Sequence, residues 1–185
     1  MTGALATAHR LLTEAADTLT TATGPGATDD DMLGVLRECE TMTRRLDRLT
    51  VATVSTLERR GTFTERGYKS TAGALSDLLN WERFEARRRT IAAEQIHPRT
   101  ALDGTELPAR LPATAAMFEA GRIGLRHVDA IAKVLASAAA GRLSPEVWAG
   151  AEAQLAERAS EYTPSDLQSW GTTLIEKLDQ DGPEP

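Results

Sequence analysis

Aromatic residues make up only 4% of this 185-residue chain, and cysteine occurs once. The lone Cys39 excludes an internal disulfide and any multi-cysteine zinc site. It sits in the apolar phase of a helical pattern, so it is expected to be a small buried hydrophobe. The three histidines, His9, His97 and His127, are far apart and fall in no HxH or HExxH arrangement. No GxSxG elbow, GxxxxGK loop or GxGxxG turn is present. No catalytic residue, metal or cofactor is therefore expected, and the chain reads as non-enzymatic. A run of 18 apolar residues is missing too, as is a basic-then-apolar leader, so a cytoplasmic protein with no membrane partner is expected.

Hydrophobic residues at 41% and charged residues at 26% suit a globular protein. A core built from alanine and leucine, with few β-branched and aromatic residues, favours helices. No stretch alternates with the two-residue period of a strand. The fold class is all-α: a multi-helix bundle with a long N-terminal helical hairpin and a possible helix-turn-helix. Net charge is −6, unevenly spread: −4 over residues 1–36, +4 over 37–99 and −6 over 100–185. One basic segment between acidic flanks is more informative than the total.

Leu5, Leu12 and Leu19 recur every seven residues, with Ala8, Ala15 and Ala22 between them, a coiled-coil-like seam that stops at Gly24-Pro25-Gly26. Asp29, Asp30 and Asp31 then favour a helix start. A second apolar phase follows through Met32, Val35/Leu36, Cys39, Met42, Leu46, Leu49, Thr53 and Leu57, ending at Gly61. A helix from Asp31 to Arg60 is about 45 Å long, too long to be buried all round. It is expected to pair with the first helix or across a homodimer seam, with Leu5, Leu12, Leu19, Leu36, Met42 and Leu46 as oligomerisation candidates. Residues 1–62 thus read as a helical hairpin, 63–98 as a basic segment, 99–180 as a C-terminal sub-bundle and 181–185 as a tail. In the last of these sub-bundles, Ser144-Pro145-Glu146 and Thr163-Pro164-Ser165-Asp166 are helix-opening devices, and His127 is expected to be a hydrogen-bonded structural residue.

The basic segment carries the functional signal. Thr71–Leu79 reads as a short helix burying Leu75, Leu78 and Leu79. A second helix follows, with Phe84, Arg88, Ile91 and Gln95/Ile96 inward and Arg83, Arg87 and Thr90 outward. Three consecutive arginines sweep about 200° of a helix, so Arg87, Arg88 and Arg89 cannot all be buried. Helix, short turn and basic helix is the order in which a helix-turn-helix presents its second helix to the major groove. Lys69, Arg66 and Ser70 stand where phosphates would be met. The same arginines also suit a solvated face, because Glu82, Glu85 and Glu94 are interleaved and Glu85–Arg89 is an i,i+4 pair.

The order "EARRRTIAAEQIHPRTALDGTELPARLPATAAMFEAGRIGLRHVDAIAKVL", followed by "YTPSDLQSWGTTLIEKLDQDGP", resembles the actinobacterial 13E12-repeat family. The N-terminal region of that family is catalogued as domain of unknown function 222. The resemblance spans roughly Asp31 to Pro183. It implies a DNA-acting protein whose members continue past "DGP" into an HNH endonuclease domain. For this chain it implies a non-catalytic DNA-binding or targeting module, with Arg83, Arg87, Arg88, Arg89, Lys69, Arg66 and Ser70 as candidates and its own nuclease domain as a partner. A helical oligomerisation module or a regulatory protein-binding module without DNA contact is the other reading. Glu82 stands where relatives have a capping Ser or Thr, which leaves Asn80 as an alternative cap.

Overall fold

The computed structural model describes residues 3–101 and 103–179. Among the described residues the elements are helices α1 (Gly3–Ala22), α2 (Asp29–Arg59), α3 (Thr62–Glu65), α4 (Thr71–Leu79), α5 (Arg83–Ile96), α6 (Pro112–Glu119), α7 (Leu125–Leu135), α8 (Pro145–Arg158) and α9 (Pro164–Leu178). A 3-10 turn covers Ala140–Arg142, and two-residue strands β1 (Arg99–Thr100) and β2 (Glu106–Leu107) complete the set. The all-α class holds. Strands β1 and β2 pair as a short antiparallel ribbon, Arg99 opposite Leu107 and Thr100 opposite Glu106. Two residues per strand are too few to show an alternation. The 181–185 tail lies outside the described residues.

The chain forms two compact units, Met1–Thr43 and Arg44–Pro185, and the division falls inside α2. In the first unit, α1 buries no residue. Thr28 opens α2: its amide and hydroxyl donate to Asp31 Oδ2 at 2.9 and 2.7 Å, and its Oγ1 accepts from the Asp31 amide. Cys39 is exposed, contrary to the expectation of burial.

In the second unit, segments 63–98 and 99–178 share one core, running from Val51 and Val54 through Phe63, Leu75, Ala86 and Ile96 to Phe118, Ile131, Leu155 and Ile175. Alanines at Ala86, Ala92 and Ala93 let α5 sit close to its neighbours. Gly171 does the same for α9: a Cβ there would lie 2.6 Å from Leu155 Cδ2 and 3.2 Å from Val134. Ser144 and Thr163 cap as their motifs indicate, accepting from the amides of Val147 and Asp166. Helix α6 has no such cap of its own. Buried Glu152, from α8, accepts from the amides of Ala113 (3.2 Å) and Thr114 (2.7 Å) and from the Thr114 hydroxyl (2.6 Å). Nothing local in the sequence links residue 152 to residue 114.

Candidate nucleic-acid interface

Helices α4 and α5 are consecutive and pack on each other, joined through Asn80, Trp81 and Glu82. Asn80 ends α4 in the left-handed conformation (φ 52°), which Asn tolerates better than most residues. Its role is therefore to stop α4, while Glu82 occupies the cap position of α5 without a side-chain bond. Ser76 Oγ donates to the Trp81 carbonyl at 2.8 Å and fixes the turn. Leu75 is buried, whereas Leu78 and Leu79 are about half exposed, contrary to expectation. A nine-residue helix has two and a half turns, and only Ala74 and Leu75 reach the core.

Helix α5 is buried through Ala86, Ala92, Ala93 and Ile96. What remains outside is Arg83, Phe84, Arg87 and Glu94. Phe84, expected inward, is 60% exposed. With Arg87, Ile91, Ala132, Lys133 and Ala136 it lines a groove of about 500 Å³ between α5 and α7.

Arg88 and Arg89, the other two arginine candidates of α5, are half-buried and engaged by carboxylates of the fold. Arg88 bonds Glu85 and reaches Asp129 Oδ2 at 3.5 Å; Lys133 Nζ meets the same oxygen at 3.0 Å. Arg89 donates to Glu85 Oε2 at 2.8 Å and to Asp47 Oδ1 at 3.2 Å, and its guanidinium lies 4.4 Å from the Trp81 ring centre. Burial acts to raise the Glu85 carboxyl, but the hydrogen bonds and charges of Arg89 and Arg88 outweigh it, holding the group below its ordinary value.

Ser70 is likewise engaged, since its Oγ caps α4 by accepting from the Gly73 amide at 3.1 Å. Arg66 and Lys69 are exposed. Lys69 lines a cavity of about 340 Å³ whose other walls include Glu58, Tyr68, Thr90 and Glu94, so it stands beside the outer stripe of α5. Although residue 94 is exposed overall, partial desolvation of its carboxyl in this cavity and the neighbouring Glu58 charge push the Glu94 group up, against a smaller opposing pull from Arg110. The basic character of α5 is thus confined to its first two turns. His127 accepts at Nδ1 from the Gly124 amide at 3.3 Å and donates from Nε2 to the Tyr162 carbonyl at 3.0 Å, as a structural histidine does. Among the described residues no group of three or more His, Cys, Asp or Glu is placed to hold a metal ion, and no helix is long and apolar enough to cross a membrane.

The oligomerisation candidates lie as follows: Leu5, Leu12, Leu36 and Leu46 are 59%, 52%, 66% and 47% exposed, and Leu19 and Met42 are half-buried.

Fold and site together define an all-α domain that presents a short basic helix end on a helical body. Residues 33–184 match the family model described as a domain of unknown function, DUF222, and the chain belongs to that family. It is 31% identical over 155 residues to the uncharacterized protein MT1160 of Mycobacterium tuberculosis, covering 84% of this chain and 36% of that protein. It is 34% identical over 155 residues to the uncharacterized protein Mb1179c of Mycobacterium bovis, covering 84% and 34%. The chain therefore spans about a third of the length of these relatives. No solved structure matches it.

Proposed function

We propose that this domain is a non-catalytic DNA-contacting module, with the N-terminal turns of α5 as its contact element. The observation that carries the reading is the joint exposure of Arg83, Phe84 and Arg87 on a helix whose other faces are fixed in the core. Arginines in the first turns of a rigid helix are where a groove-entering helix meets bases and phosphates. An exposed phenylalanine between them adds an apolar contact of the kind that meets a thymine methyl. Lys69 and Arg66 extend the positive strip as phosphate partners. The resemblance to 13E12-repeat proteins supports reading the domain as the positioning part of a longer HNH-endonuclease-type protein of the cytoplasm.

The test is fluorescence anisotropy with labelled duplex DNA over a salt series. Four phosphate contacts give a log–log salt slope of roughly −3 to −4. Arg87→Glu is expected to weaken binding about tenfold or more at low salt. Absence of binding at low salt, or an unchanged Arg87→Glu affinity, would refute the proposal.

A further inference from the structure

The longest helix carries a regular apolar face of which Val35 and Met42 are half-buried and the rest is exposed among the described residues. Met32, Val35, Cys39, Met42, Leu46, Leu49 and Thr53 step by three and four in strict alternation, a heptad seam of three full repeats. Met32, Leu46 and Leu49 are 43%, 47% and 65% exposed. Cys39 is exposed as well. At 100° per residue Leu46, Leu49 and Thr53 of this seam lie about 180° from the face of α2 that meets the core. That second face carries Val51, Val54 and Ser55 into the core. It also aims Arg44 and Arg48 at the carbonyls of Glu119, Gly121 and Arg122. One side of α2 is thus committed to the fold, and the other repeats with the 3.5-residue period of a helix that pairs with a helix.

We propose that α2 pairs with α2 of a second copy of this chain as an antiparallel coiled coil centred between Glu40 and Thr41. This inference is independent of the DNA reading. The flanking charges select both partner and direction. In the antiparallel register the apolar layers are Met32 on Leu49, Val35 on Leu46 and Cys39 on Met42, each occurring twice by symmetry. The positions beside the seam then place exposed Glu38 against exposed Arg45 of the second copy, also twice, and Leu36 against Thr43. Asp31 meets Ala52, so no like charges face each other. In a parallel pair Glu38 would face Thr43 and Arg45 would face Thr50, with no complementary contact, so the charge pattern is self-complementary only about a two-fold axis. The other leucine seam available, Leu5, Leu12 and Leu19 on α1, has Ala4, His9, Leu11, Ala16 and Thr18 at its flanks and offers Arg45 no carboxylate. Pairing from Met32 to Thr53 spans about 33 Å of helix, ample for a specific two-helix contact.

Sedimentation equilibrium of the full chain is the direct test. A dimer is expected that Leu49→Glu converts to monomer, with the thermal unfolding of the monomer unchanged because residue 49 is exposed. Glu38→Arg is expected to raise the dimer dissociation constant roughly tenfold, by placing two like-charge contacts at the seam, and Glu38→Arg/Arg45→Glu to restore it. In a Cys39→Ala background, Val35→Cys/Leu46→Cys is expected to cross-link on mild oxidation while Leu46→Cys alone does not. A monomer at every concentration overturns the proposal. So does a dimer indifferent to Leu49→Glu, which would place the contact elsewhere, as on α1. Cross-linking of Leu46→Cys alone, or a Glu38→Arg defect that the double reversal fails to repair, overturns the antiparallel pairing.

Discussion

Replacing Arg89 by Met separates the structural arginines of α5 from the exposed ones. The guanidinium sits 4.4 Å from the centre of the Trp81 ring and bonds two carboxylates, Glu85 and Asp47, with all three side chains of the ion pairs less than a third exposed. A partly desolvated cation–π contact contributes about 1 kcal/mol. Each of two half-buried, charge-assisted pairs adds about 1 kcal/mol, above the surface median because water screens them less. Methionine keeps most of the aliphatic stem, so the packing loss is small. The expected destabilisation is about 3 kcal/mol, or a fall in Tm of roughly 6–12 °C for a unit of this size. Arg87→Met, at an exposed position, is expected to stay within about 0.5 kcal/mol of the parent. Urea and thermal denaturation followed by circular dichroism give both values. Equal stability of the two variants, or a larger loss for Arg87→Met, would refute the division of the arginine run into a load held in the core and a free outer edge.

Glu152→Ala is expected to cost about 3–5 kcal/mol, because two amides and a hydroxyl at the start of α6 lose a buried acceptor, each loss lying toward the lower end of about 1–3 kcal/mol. Glu152→Gln, which retains one acceptor oxygen, is expected to fall between it and the parent in the same urea titration. Glu94→Gln is expected to raise stability at neutral pH. The folded-state carboxyl is raised above its ordinary value of 4.5 by burial and by Glu58, so ionising it disfavours folding once the pH exceeds that value. Below pH 4.5 both states hold the proton and the advantage of the variant disappears; a difference in Tm that persists or grows in acid would contradict this.

Most of the helical order was legible because its signals are local. Ser144 and Thr163 capped as their spacing with Glu146 and Asp166 indicated, and the seam positions Leu46 and Leu49 fall on one face of α2 as their spacing indicated. What escaped depends on how much company each face finds. Cys39, Leu78, Leu79 and Phe84 all lie in an apolar phase, yet phase says only which residues share a face. The candidate site was half legible for the same reason. That Arg87, Arg88 and Arg89 diverge around the helix follows from geometry alone, but which of them turns inward depends on Asp47 and Asp129, some 40 residues away in either direction. Glu152 is the extreme case, a carboxylate that looks like any solvated glutamate until α8 is laid against α6.

That long-range cap also sets an order of events during synthesis. Helix α6 is eight residues long, too short to persist in water unaided. Its first amides wait for an acceptor that leaves the ribosome 38 residues behind Thr114. The region around Phe118 and Ile123 is therefore expected to stay open in the nascent chain until α8 has emerged. A lesion in α8 would then be felt first as a failure to close at α6, and a chain interrupted before Pro145 would expose Leu111 and Phe118, two of the largest side chains in the core, to every chaperone it meets.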